Sequence, residues 1–457
     1  MPHPETKPTQ PVARNCSSWH TRCGSSWRAH CGQKVALMAL LALIALRLEG
    51  QPYQGATDRS LASSDTNTLI EAQRVAVYSK AHLDSLWKAN KVPKAISKVR
   101  YSVEVYEVLY WTSWYDGSRI QASGLYYFPL EQRNALPLVS FNHGSRSDRR
   151  TEVELKSEAI ITTALAADGY AALMPDYIGL GTDQGRHLYQ HAATEAMATI
   201  DMLRAVRALN RKLGVSTSGQ LFLSGYSQGG HAAMATHKWI ETHFAGEFSL
   251  TASAPLSGAY DMEGVQAESM FREYSRPGYF AFLLWGMNEV YGMYPDLRDA
   301  LVPEYAETVV SILDRDDFSL RELGRVMPAV PAEIIRPEVL QAYQDDPNFP
   351  MRLAMRENSL TQWAPERPMM LCYCDADEQV DPRNAQVAYN AMRDLGSESV
   401  RLRRVSRKMT HRDCAPYAAF YAKMYFDSFV KGSEKGRKGP LGKRMLISVG
   451  KMTYKAD

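Results

Sequence analysis

The segment of this chain with the most chemistry in it is Gly225-Tyr226-Ser227-Gln228-Gly229-Gly230. The apolar run Leu221-Phe222-Leu223 precedes it and an Ala-rich stretch from His231 follows. That order predicts strand, sharp turn, helix. In such a turn the serine of Gly-x-Ser-x-Gly takes a strained conformation that lifts its hydroxyl above a sheet. The glycines answer a steric need, because strand and helix pass too close there for a side chain. The chemistry predicted is attack by the Ser227 hydroxyl on a carbonyl carbon.

A serine nucleophile needs a base, a group that orients the base, and donors for the oxyanion. On an elbow of this kind the acid and then the base follow the nucleophile in the chain. Of the 11 histidines, only His411 lies beyond residue 243. It follows the strand-like Val400–Val405 and precedes a helix-like Tyr417–Phe429, which places it in the intervening loop. The strand-like Met369–Cys374 runs into Asp375, Asp377 and Asp381, any of which could orient the base; Asp261 is a more distant rival. Oxyanion donors are expected from the backbone N–H of Gln228 and from the loop Asn142-His143-Gly144-Ser145, with Ser145 favoured over Arg146. His143 reads as a structural loop residue rather than a second base.

These residues need a scaffold. Tyr101–Trp111 and Ile120–Phe128 alternate around Tyr115-Asp116-Gly117-Ser118, an antiparallel hairpin signal. Strands then recur at Leu138, Ala171, Leu221, Leu250, Met370 and Val400, with helical stretches between. The fold class expected is α/β, a mostly parallel sheet covered by helices on both faces. Residues 51–98 read as a polar, helical lead-in. The rhythm breaks over 262–365, a stretch rich in aromatics from Phe271 to Tyr294. It is expected to form a helical cap over the catalytic face, with some aromatics lining an acyl pocket.

The ordered set resembles the secretory lipase family of α/β-hydrolases. Gly-Tyr-Ser-Gln-Gly-Gly-His at 225–231 is similar to that family's elbow. Asp176-Tyr177-Ile178-Gly179-Leu180-Gly181, His187-Leu188-Tyr189 and the helix-like Ala193–Leu209 resemble segments preceding it. The resemblance spans roughly residues 100 to 430. It implies the α/β-hydrolase fold, a triad and carboxylic ester hydrolysis, and leaves the ester open. The Asp-x-x-Val-x-Pro pattern resembles the acid loop of such enzymes and points to Asp377; Asp381 before Pro382 departs from it. The expected catalytic set is thus Ser227, Asp377 and His411, with oxyanion donors Gln228 and Ser145. No cofactor or metal is expected, and His187-x-x-x-His191 lacks the glutamate of a zincin. A serine peptidase or acyltransferase would use the same triad, and an inactive scaffold kept for binding is the non-enzyme alternative.

The net charge of +3 hides an uneven distribution. Residues 1–50 hold 6 basic against 2 acidic side chains, residues 431–457 hold 8 against 2, and the body between holds 39 against 46. An acidic body argues against nucleic acid as a partner. The expected partner is a small-molecule or lipid ester, with transient contact to a lipid interface. The 12-residue apolar run Val35–Leu46 after Lys34 has the size of a signal-peptide core. The expected organisation is therefore a targeting segment over 1–50, a core over 51–261 and 366–430, the cap over 262–365 and a basic tail over 431–457. The expected location is outside the cell or in the periplasm. In that setting Cys414 can pair with Cys372 or Cys374, leaving one body cysteine free.

Overall fold

The computed structural model describes residues 68–89, 97–132, 134–147, 149, 154–182 and 185–432. The apolar run at 35–46 and the basic tail beyond residue 432 lie outside the described residues. One nine-stranded sheet runs through the molecule in the order β1-β2-β3-β5-β4-β6-β7-β8-β9. The strands are β1 Leu69–Tyr78, β2 Val103–Ser113, β3 Arg119–Pro129, β4 Leu136–Asn142, β5 Ala171–Pro175, β6 Thr217–Tyr226, β7 Leu250–Leu256, β8 Met369–Cys374 and β9 Val400–Ser406. β1, β2 and β3 pair antiparallel, and β3 joins β5 antiparallel. From β5 through β9 every pairing is parallel. The hairpin and the six later strands stand where the alternation and the apolar runs place them.

One expectation fails. Residues 51–98 are read from sequence as a polar, helical lead-in, and Glu71, Ala72, Gln73 and Arg74 are helix formers, yet Leu69–Tyr78 form β1. Backbone pairing along β2 overrides that propensity. β1 is an edge strand, and its charged, half-exposed residues suit an edge that must not recruit another chain. Among the described residues the first helix is α1, Lys80–Ala89.

Helices cover both faces. α2 (Ser157–Ala167) follows β4, α3 (Ala192–Leu213) follows β5, and α4 (Gln228–His243) follows β6. α3 and α4 bury Met197, Leu203 and Met234 with Leu223 and Leu371 on one face. On the other, Leu165 of α2 packs with Phe222, Cys372 and Phe426. Between β7 and β8 the chain leaves the sheet and forms α5 (Gly278–Tyr291), α6 (Pro303–Leu313), α7 (Leu320–Val326), α8 (Pro337–Asp345) and α9 (Pro350–Glu357). These helices have their own apolar core around Phe282, Leu284, Val309, Leu323 and Met351, which also takes in Tyr189 from the loop before α3. α10 (Arg383–Asp394) and α11 (His411–Val430) are the last helices among the described residues. Among the described residues no helix is long and apolar enough to cross a membrane.

The order places a crevice. After β4 the chain moves outward to β5, and after β5 it returns past β4 to β6. The loops at the C-terminal ends of β4 and β6 therefore diverge, and ligand sites of parallel sheets form at such a switch point.

Candidate active site

β6 ends at Tyr226, α4 begins at Gln228, and Ser227 makes the whole turn between them. Its φ of 60° and ψ of −122° are conformations an L-residue avoids. Its N–H donates to the Leu256 carbonyl at 3.0 Å, which anchors the turn to β7. A Cβ at Gly229 would strike the Asn142 carbonyl of β4, and one at Gly225 would strike the Gly229 carbonyl. The glycines thus let α4 cross the ends of β4 and β6, and the crossing forces Ser227 into its turn.

Asp377 lies just beyond β8 and His411 is the first residue of α11. The sequence places His411 in a loop; the structure starts the helix there. The Asp377 Oδ2 and Oδ1 atoms accept from His411 Nδ1 at 2.7 and 2.8 Å. Asp377 Oδ1 also accepts the N–H groups of Gln379 and Val380 at 3.0 and 2.9 Å, so the carboxylate is held from both sides. The rival acids are engaged elsewhere. Asp375 meets Arg404, Asp381 meets Arg272 and Arg383, and Asp261 accepts from the Val265 N–H. Two partners of His411 carry no signal in the sequence. Glu378 Oε2 accepts the His411 backbone N–H at 2.9 Å, and Tyr226 Oη donates to the His411 carbonyl at 2.6 Å. The second bond ties His411 to the residue before Ser227.

Gln228 is the first residue of α4, where a backbone N–H has no acceptor within its own helix. Across the crevice, Ser145 follows β4, and its Oγ is 2.6 Å from Tyr189 Oη. The loop carrying Ser145 is braced by the Asp-Tyr segment. Arg146 forms an ion pair with Asp176, Ser123 Oγ donates to the same carboxylate at 2.7 Å, and Tyr177 Oη donates to the His143 carbonyl at 2.9 Å. His143 is buried, with its ring facing the Gly144 and Asp176 carbonyls, and burial holds it well below the usual histidine range. His187 and His191 do not converge on one point: the first faces the Ile178 carbonyl and the second Thr194 Oγ1.

A cavity of about 540 Å³, including its open mouth, reaches Ser227. Met262, Met270, Leu283 and Met355 give it apolar walls, and Tyr274 and Tyr279 close one side. Of the aromatics between 271 and 294, Tyr274, Tyr279 and Phe280 line this space. Phe282 and Trp285 instead border a second cavity and belong to the core of the inserted helices. Cys374 and Cys414 form a disulfide, and Cys372 is a buried free thiol among the described residues.

Known proteins share this architecture. LipA, the rice cell wall degrading esterase from Xanthomonas oryzae, is 27% identical with a TM-score of 0.71, over 81% of this chain and 100% of LipA. A putative hydrolase from Legionella pneumophila is 23% identical with a TM-score of 0.73, over 80% of this chain and 99% of its own. Candida antarctica lipase A, 13% identical with a TM-score of 0.64 over 84% and 89% of the two chains, shares the fold. Curated proteins yield no significant match. The secretory lipase family model matches residues 145–412, more than half of the chain. This protein therefore belongs to the secretory lipase family, has the α/β-hydrolase fold, and is a carboxylic ester hydrolase.

Proposed function

We propose that the protein is a secreted serine esterase or lipase that works through Ser227, His411 and Asp377. The observation that carries this reading is the pairing of His411 Nδ1 with a buried Asp377 carboxylate at 2.7 Å, on the residue that Tyr226 ties to the elbow. Asp377 holds the imidazole in the tautomer whose Nε2 is free to accept a proton. As Ser227 Oγ attacks the ester carbonyl carbon, its proton passes to that nitrogen. The N–H groups of Gln228 and Ser145 hold the resulting oxyanion, and one such donor is worth about 3 kcal/mol. The alcohol leaves with the proton from His411. Water, deprotonated by the same nitrogen, then attacks the acyl-enzyme and releases the acid.

The acyl group occupies the cavity between the inserted helices and the elbow, and these helices act as the cap. A mostly apolar lining with a few polar groups suits the acyl chain of a small or lipid ester. The family's secretory character and the apolar run at 35–46 support export. Recovery of the protein outside the cytoplasm, shortened at its N-terminus by mass spectrometry, tests that part.

The catalytic reading is tested with kcat/KM for p-nitrophenyl esters from acetate to palmitate. Native protein is expected to hydrolyse them and to be labelled at Ser227 by a fluorophosphonate. Ser227→Ala is expected to lose about a millionfold in kcat. A folded native protein with neither hydrolysis nor labelling would overturn the reading.

A further inference from the structure

Five hydrogen bonds run in series through buried side chains beneath the elbow. His231 Nε2 lies 2.9 Å from the Asn358 carbonyl, at the end of α9, and a carbonyl only accepts, so Nε2 carries hydrogen. His231 Nδ1 is 2.7 Å from Glu195 Oε2 on α3. Glu195 Oε1 takes one amide hydrogen of Gln228 at 2.8 Å. The other amide hydrogen goes to His187 Nε2 at 2.8 Å, and His187 Nδ1 donates to the Ile178 carbonyl at 2.9 Å. Glu195 is 1% exposed and Gln228 fully buried.

The Ile178 carbonyl puts the His187 hydrogen on Nδ1, so His187 Nε2 accepts and Gln228 Nε2 donates. The Gln228 amide cannot turn over, because its Oε1 would then face a carboxylate oxygen and an imidazole nitrogen, both acceptors. That oxygen is buried without a hydrogen-bond partner, and this is the expense of the orientation. Gln228 is also the residue after Ser227. Its side chain is thus clamped one residue from the nucleophile, and the clamp reaches the inserted helices through Asn358, whose Nδ2 donates to Tyr291 Oη at 2.8 Å.

We propose that Glu195 is a positioning residue for the oxyanion hole: by clamping the Gln228 amide against His187, it fixes the Gln228 peptide plane and the direction of its N–H before substrate binds. This rests on the reading of Ser227 as nucleophile and Gln228 N–H as oxyanion donor. Glu195 touches no reacting atom. What the clamp requires at 195 is an acceptor, not a charge. The amide introduced by Glu195→Gln can accept from Gln228 and donate to His231 Nδ1, with Nε2–H still directed at Asn358. Glu195→Leu keeps the volume and removes the acceptor.

The experiment compares kcat and KM for a p-nitrophenyl ester with inhibition by an alkyl trifluoromethyl ketone, whose serine adduct carries the oxyanion. Glu195→Leu is expected to lower kcat about 10- to 100-fold, as misplacement of one donor would. Its KM should stay within about threefold of native, and the ketone should weaken by the factor lost in kcat. Glu195→Gln should keep all three values within about threefold. Gln228→Met retains the backbone N–H but loses both side-chain anchors, so it should repeat the Glu195→Leu pattern. It decides the matter alone if Glu195→Leu does not fold. A folded Glu195→Leu or Gln228→Met with native kcat would overturn the proposal, as would Glu195→Gln as damaging as Glu195→Leu. In either case an active native enzyme labelled at Ser227 would leave the catalytic reading standing.

Discussion

Cys374 is joined to Cys414 with a Cα–Cα distance of 6.2 Å, and the bridge spans the two segments that carry Asp377 and His411. Each cysteine lies three residues from the neighbouring catalytic candidate, one at the end of β8 and the other in the first turn of α11. Asp377 and His411 are thus held together by a nearby covalent link as well as by their own hydrogen bond.

Cutting that link should cost stability first. Closing a loop with a sequence separation of 40 stabilises by about 4 kcal/mol in the chain-entropy view. A Cys374→Ser, Cys414→Ser double variant is expected to lose an amount of that order in urea unfolding. Its kcat should fall as well, because the two loops are then held together by noncovalent contacts alone. Unchanged unfolding would show that the bridge contributes nothing.

Asp377→Asn should leave the fold intact and lower kcat about 10⁴-fold, because an amide favours the wrong tautomer of the imidazole. Asp375→Asn and Asp381→Asn should stay within about tenfold of native, since those carboxylates face arginines rather than His411. Equal losses at all three positions would remove Asp377 from its role.

On the proposed reading, the cavity at Ser227 sets a limit on the acyl chain. Met270 and Leu283 are buried in its wall. Filling it by Leu283→Trp should shift the preferred p-nitrophenyl ester toward shorter chains. Each methylene excluded or admitted changes kcat/KM by about 1–3 kcal/mol. An unchanged chain-length profile in a folded, active variant would place the acyl group elsewhere.

Acid should unfold the protein through buried histidines. Burial pushes the His187 ring down to about 4 and the His191 ring, which also lies near His231, to about 3. In the unfolded chain both return to about 6.5. The folded state therefore resists protonation that the unfolded state accepts. The stability these rings contribute is present above pH 6.5 and is lost as pH falls toward 4 and 3. Between pH 7.5 and 5 each ring accounts for about 2 kcal/mol. Urea midpoints should fall over that range, and His191→Gln should make the fall shallower. A native-like slope in that variant would exclude His191 from the effect.

Much of the catalytic candidate set was legible because it depends on local pattern and chain order. An elbow needs small residues at fixed offsets from its serine, so Gly225, Ser227 and Gly229 announce themselves. His411 is the one histidine downstream of residue 243, so elimination finds it. The strands at Leu138, Leu221, Leu250 and Met370 appear as apolar runs because a strand buried on both faces has no polar side. β1 was misread because an edge strand is held by its neighbour's backbone, and its own side chains keep a helix-former's composition.

Order along the chain could not choose among Asp375, Asp377 and Asp381. Three aspartates within seven residues differ only in which way the loop after β8 turns them, and hydrogen bonds from Gln379 and Val380 make that choice. Nor could it choose Cys374 over Cys372. In a strand, residues at i and i+2 share a face, so only the extra advance to the strand end brings Cys374 to α11. Glu195, Tyr226 and Glu378 gave no signal at all, because their partners are 33 to 185 residues away. The sequence by itself determined the candidate nucleophile, the chain order of the candidate triad and the parallel core, since these are written in local sterics and chain direction. Only the tertiary structure decided which acid meets His411 and what holds Gln228, because those bonds exist only once distant segments are packed together.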